Sequence, residues 1–167
     1  MGVVPAVSSA PKQSTVVEGA KSPSSSSIST LVGQASVIDG DTIEIHGTRI
    51  RFNGIDAPES SQTCEADGLS YRCGQKAAIA LSDFIGVHTV TCNKTGTDRW
   101  RRVIAKCFSE GADLSGWMVA NGWAIAYRKY SMDYIADEER ARNQRIGIWA
   151  GKFVVPEEWR KGKRDGG

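Results

Sequence analysis

A chain of 167 residues with a formal net charge of +2 has room for one domain with a buried core plus a tail, and that charge is too small to name a partner. No apolar run is long enough to cross a bilayer. The two histidines, His46 and His88, stand alone and the cysteines do not form paired C-x-x-C motifs, which argues against a transition-metal site.

Charge distribution says more than its sum. Between positions 87 and 130 seven basic residues (Lys94, Arg99, Arg101, Arg102, Lys106, Arg128, Lys129) face three acidic ones. Such a stretch is either a solvated face or a surface for a phosphate-bearing ligand. Four cysteines, Cys64, Cys73, Cys92 and Cys107, permit three disulfide pairings. The spacing favours Cys64–Cys73, closing a short loop, and Cys92–Cys107, crossing a hairpin; four thiols in a reducing compartment is the alternative.

In chain order, residues 1–33 read as a Ser/Pro-rich disordered tail without a sustained apolar period. The tail lacks the basic start and apolar stretch of a signal peptide. If the disulfides form, the chain is expected in a secreted, periplasmic or envelope setting, with an export signal absent from this sequence. A domain over 34–160 follows, then a frayed basic tip over 161–167. Alternation predicts strands over 35–38, 42–46 and 48–53, with the "HGT" at 46–48 as a tight turn. A polar loop covers 60–73, and "GQKAAIALSDFIG" predicts a helix over 74–86. A second hairpin is expected from 87–92 and 102–108, then a short helix ending at Gly122 and a longer one over 132–145. Phe153, Val155 and Trp159 read as a strap laid on the domain. Three strands, a helix, two strands and further helices is the order of an α+β fold: a five-stranded OB-like β-barrel with about three helices packed on it.

Three patches carry chemistry. In "SVIDGDTIEI" strand periodicity puts Asp41 on the side of Ile43 and Ile45, at the mouth of a core. An unpaired carboxylate is costly there, so either the strand starts later or a cation meets Asp41. "RFNGIDAPE" adds Arg51, Asp56 and Glu59, and "DRWRR" adds Arg102. Singly, "DGD" is a turn signal and "DAPE" an ordinary loop. Together they offer carboxylates at the ends of neighbouring strands beside an arginine. Asp41, Asp56 and a nearby backbone carbonyl are hard oxygen ligands suited to Ca²⁺ or Mg²⁺. Glu59 stands where it can hold or deprotonate a water. Arg51 and Arg102 supply planar forks matched to the oxygens of a phosphodiester under attack.

The successive motifs "VIDGDTIEI", "RFNGIDAPE", "DRWRRVIA" and "GWAIAYRKY" resemble the signatures of the staphylococcal nuclease (thermonuclease) family, in the same order, from about 34 to 149. The resemblance implies an OB-type barrel with three helices and Ca²⁺-dependent hydrolysis of DNA and RNA that leaves 3′-phosphate ends. It implies Ca²⁺ binding by Asp41, Asp56 and the main-chain carbonyl of Ala57, with Glu59 as base or water-orienting group and Arg51 and Arg102 as catalytic arginines. Arg99, Tyr127 and Tyr130 would contact substrate, and Asp39 would support the metal ligands from behind. Two departures bear on this. Ala57 replaces a threonine, which spares a backbone ligand. Arg101 replaces a glycine common in relatives and would displace Arg102 if that position needs a positive φ. The implied partner is a nucleic acid, the implied state a monomer without a stable protein partner. A non-catalytic nucleic-acid-binding module of the same fold is the alternative, and an interaction domain in envelope assembly a third reading.

Overall fold

The computed structural model describes residues 29–164, together with residues 2, 3, 5 and 6. The strand β1 (Thr30–Gly33) already belongs to the sheet: it pairs antiparallel with Val90–Asn93 of β8 (Val90–Thr97). The expected tail boundary at 33 is therefore too late, because four residues after the serine run find an open sheet edge. Residues 7–28 of that tail lie outside the described residues.

β2 (Ala35–Asp39), β3 (Thr42–Ile45) and β4 (Thr48–Phe52) form an antiparallel meander. His46 and Gly47 turn β3 into β4 with φ of 49° and 77°, the double positive φ of a type I′ hairpin turn. Ile43, Ile45, Ile50 and Phe52 are all buried, as alternation over a core requires. After β5 (Ile55–Asp56), the small hairpin of β6 (Cys64–Ala66) and β7 (Leu69–Tyr71) leads into α1 (Cys73–Ile85). The helix buries Ala77, Leu81 and Ile85, one stripe at helical spacing, and packs on β2.

β8 returns along β1 and turns into β9 (Val103–Ser109), which pairs parallel with β4 and closes the sheet path β1-β8-β9-β4-β3-β2. β10 (Ala112–Asp113) pairs with β9 and runs into α2 (Leu114–Ala120), whose first amides Asp113 accepts. The short strand β11 (Ile125–Ala126) pairs with β5, α3 (Ile135–Asn143) packs on α2, and a single 3₁₀ turn (Gly147–Ala150) follows. The fold is α+β and OB-like, with a curled sheet under several helices. The main sheet has seven strands rather than five, because β1 extends the β8 edge and β10 pairs with the end of β9, off the main path.

A fourth helix, α4 (Pro156–Arg160), was not expected. Of the expected strap, Phe153 and Trp159 do pack inward, but Val155 faces out and Val154 is buried in its place. The tip is also more ordered than expected as far as Arg164, whose Nη1 donates to the Trp159 carbonyl at 2.6 Å and whose guanidinium stacks on that ring. Both favoured disulfides are present, Cys64–Cys73 and Cys92–Cys107. Cys92 and Cys107 face each other across β8 and β9. The first disulfide forms a second small core with Ile148, against which Trp149 and Phe153 pack.

Candidate active site

Strand register gathers the charged groups at one mouth of the curled sheet. Thr42 of β3 lies opposite Arg51 of β4, so the residue starting β3 and the guanidinium of β4 share an end of the sheet. Asp41 is buried there: its Oδ1 accepts the Thr42 hydroxyl at 3.0 Å and its Oδ2 the Ala57 amide at 2.9 Å. The cation that meets it is Arg51, whose Nη2 stands 3.5 Å from Asp41 Oδ2 and 3.1 Å from Asp56 Oδ1. Two carboxylates, Asp41 from the turn between β2 and β3 and Asp56 from β5, thus converge on one nitrogen.

Glu59 follows on a loop held by Gln62, which is fully buried. The Gln62 side-chain oxygen accepts the Glu59 amide at 3.2 Å, and its amide group donates to the Val154 carbonyl at 2.6 Å. Backbone bonds between Glu65 and Lys152 add a second tie between this loop and the C-terminal segment. Close approach of α1 fixes the loop from below: a Cβ on Gly74 would lie 1.7 Å from the Glu59 carbonyl oxygen, so only glycine fits.

Those ties deliver Arg160 from α4. Its Nη1 donates to Asp56 Oδ1 at 2.9 Å and to Glu59 Oε1 at 2.6 Å, and its Nη2 donates to Asp56 Oδ2 at 3.0 Å. Sequence reading missed this residue. The contact spans more than a hundred positions of chain, and the only local signal was Pro156 followed by two glutamates, a helix-start pattern.

The opposite wall of the cleft is the tip of the β8–β9 hairpin. Asp98 Oδ1 accepts the backbone amides of Trp100 and Arg102, both at 2.9 Å, and its Oδ2 accepts Arg102 Nε at 2.7 Å. Arg102 is anchored through Nε, and no other hydrogen bond from its side chain occurs among the described residues. Arg101 adopts φ of 66°, the conformation suited to glycine. The position does need a positive φ, but the arginine adopts it and Arg102 still lines the cleft. Trp100, 63% exposed, carries the Arg99 guanidinium 4.1 Å from its ring centre. Across the cleft Tyr127 and Tyr130 meet edge to face at 4.8 Å. Not all of the basic stretch faces this space. Arg128 pairs with Glu138 and Lys106 with Asp133, away from the lining. The cleft, about 730 Å³, is lined by Asp39, Arg51, Glu59, Arg99, Arg102, Tyr127, Tyr130 and Arg160 among others.

Electrostatics here are those of crowded acids. Burial, then the neighbouring Asp41 carboxylate, pushes Asp39 up to about 7. Burial also raises Asp56, against the pull of Arg160 and Arg51. The Arg160 guanidinium loses solvent, but its bonds to Asp56 and Glu59 hold its proton all the more firmly. Among the described residues no three carboxylate, imidazole or thiol side chains form a ready metal cage. The donor set nevertheless suits a hard cation that completes its shell with water and phosphate. It offers only oxygens, from two converging carboxylates beside Ala57, in a cluster where positive charge is short.

A cleft joining buried carboxylates, arginine forks and exposed aromatics on an OB-like fold is a surface suited to a phosphate-bearing ligand. Comparison with known proteins agrees. The family model described as "Staphylococcal nuclease homologue" matches residues 49–151, and the chain belongs to that family. It is 40% identical over 123 residues to "Succinoglycan biosynthesis protein ExoI" of Rhizobium meliloti (strain 1021), covering 71% of this chain and 64% of that protein. It is 32% identical over 133 residues to an "Uncharacterized endonuclease" of Haemophilus influenzae, covering 75% and 70%. With "Micrococcal nuclease" of Shigella flexneri it shares 28% identity over 147 residues, covering 77% and 79%. Arg160 lies beyond the matched family region.

Proposed function

We propose that the chain is a nuclease that hydrolyses phosphodiester bonds of DNA or RNA with Ca²⁺, acting as a monomer and leaving 3′-phosphate ends. The observation that carries this reading is the convergence of Asp41 and Asp56 on one nitrogen of Arg51, with Glu59 and Arg102 facing the same cleft. Asp41, Asp56 and the carbonyl of Ala57 would hold the ion. Bound Ca²⁺ would supply a fixed positive charge beside the scissile phosphate.

The remaining chemistry belongs to side chains. Glu59, about a third exposed, accepts a proton from the attacking water as its oxygen bonds to phosphorus. The bond to the 5′ oxygen breaks, and that oxygen takes a proton from solvent water and leaves as the 5′-hydroxyl. Arg51 and the terminal nitrogens of Arg102 donate to the phosphoryl oxygens, where negative charge grows in the transition state. Asp98 keeps the Arg102 fork in place before substrate arrives, so little reorganisation is needed. Arg99 contacts the flanking backbone, and the Tyr127–Tyr130 pair packs on substrate beyond the cut. Asp39 donates no ligand but accepts the Asp41 amide at 3.2 Å, which steadies the turn that aims Asp41.

Two disulfides among the described residues support an oxidising location, secreted or in the envelope. Incubation with single-stranded DNA and with RNA, with Ca²⁺ and then with a chelator, tests the function. Cleavage that stops with the chelator and resumes with added Ca²⁺ is expected. Binding without cleavage would favour the non-catalytic module instead.

A further inference from the structure

Asp56 is fully buried, and both of its oxygens are engaged by Arg160, which also reaches Glu59. Asp56 Oδ1 receives two N–H donors, one from Arg51 and one from Arg160, and so uses both of its lone pairs. Four acids (Asp39, Asp41, Asp56, Glu59) crowd the mouth, where the guanidiniums bonded to them are Arg51 and Arg160. Arg51 comes from a core strand. Arg160 comes from a five-residue helix outside the matched family region, with 34% of its side chain exposed. One guanidinium is therefore built into a core strand and the other carried on a five-residue helix.

We propose that Arg160 is a tethered counter-charge of this site: it occupies the Asp56 and Glu59 carboxylates and yields them to a divalent ion, so that it sets how much ion the site requires. The inference rests on the Ca²⁺ reading above. A cation approaching Asp56 must displace the guanidinium or share an oxygen with it, and like charges so close repel. When the binding-competent arrangement is a minority, apparent affinity falls by that fraction. Removing the guanidinium removes both the competitor and a positive charge. Lys152–Glu65 and Gln62–Val154 fix the base of the strap, so release needs only rotation about the Arg160 side chain and no unfolding of α4.

Calorimetric titration with Ca²⁺, without substrate, tests this on the full chain and on Arg160→Ala, Arg160→Gln and Arg160→Lys. Lys163→Ala controls for net charge, and far-UV dichroism confirms folding. Ca²⁺ should bind the Ala and Gln variants about tenfold or more tightly than the parent, a gain of about 1.4 kcal/mol. The Lys variant, which keeps charge but not the fork, should fall between, and Lys163→Ala should match the parent. In chelator the Ala variant should unfold at lower temperature than the parent, because four acids then share one guanidinium fewer. Equal or weaker Ca²⁺ binding by folded Ala and Gln variants, with the parent still binding, overturns the role of Arg160 and leaves the Ca²⁺ reading intact. If none of the proteins binds Ca²⁺, both fall. If all three variants fail to fold, Arg160 is a structural anchor and the proposal is wrong.

Discussion

Replacing Arg101 by glycine should stabilise the protein. Arg101 sits at φ of 66° at the tip of the β8–β9 hairpin, exposed, and no hydrogen bond or ion pair from its side chain occurs among the described residues. A side chain in that region costs roughly 1–2 kcal/mol of Cβ–carbonyl crowding. Glycine removes this but adds about 0.4–1 kcal/mol of unfolded-state entropy. The shape of the tip does not depend on the side chain. Asp98 accepts the amides of Trp100 and Arg102, and the Arg101 amide donates to the Asp98 carbonyl at 3.0 Å. The difference of these terms is centred on about 0.8 kcal/mol, or a rise in Tm of about 2–3 °C for a domain of this size. Urea unfolding of parent and Arg101→Gly, followed by tryptophan fluorescence, measures it. A lower midpoint at unchanged slope would refute the reasoning and show that the arginine side chain contributes more than its backbone strain costs.

Arg102→Ala should lower kcat by about 10²–10³, as loss of one preorganised donor does elsewhere, and steady-state kinetics with an unchanged kcat would remove Arg102 from the mechanism. Gly74→Ala places a Cβ 1.7 Å from the Glu59 carbonyl, so α1 and the Glu59 loop must part. It should cost about 3 kcal/mol in chemical denaturation and depress turnover along with stability. Tyr134 is buried and donates to Asp113 at 2.7 Å, and burial first, then Asp113, raises its pKa. A raised folded value means that its contribution is complete below the unfolded value of about 10 and is lost as pH climbs toward the higher folded one. Thermal unfolding from pH 8 to 11 should show Tyr134→Phe losing less stability with rising pH than the parent; parallel curves would count against this account.

What could be read in the sequence was local. Ile43 and Ile45 fix a face by period two; the strand starts just after Asp41, and Asp41 also meets a cation, Arg51, so both alternatives left open by its burial hold. The I′ turn at His46–Gly47 and the stripe of α1 are likewise short-range patterns. Cys92 and Cys107 fall opposite each other because a hairpin of that length sets the register. What escaped depends on distant partners. Thr30–Gly33 carries no turn signal and becomes a strand only because β8 offers an edge. Met132–Asp133 were expected in a helix that begins at Ile135, since Tyr134 instead turns inward to Asp113. Arg160 looked like one more basic residue near a terminus, and only the fold brings it to Asp56. Trp100, in "DRWRR", carried no separate signal that its ring would stay exposed in the cleft.

The most direct test is a crystal structure with Ca²⁺ and an uncleavable phosphorothioate oligonucleotide. The account predicts one ion with Asp41 and Asp56 oxygens at about 2.3–2.6 Å. It also predicts one phosphate held jointly by Arg51 and the terminal nitrogens of Arg102. An ion bound elsewhere, or a phosphate that neither arginine touches, would contradict it.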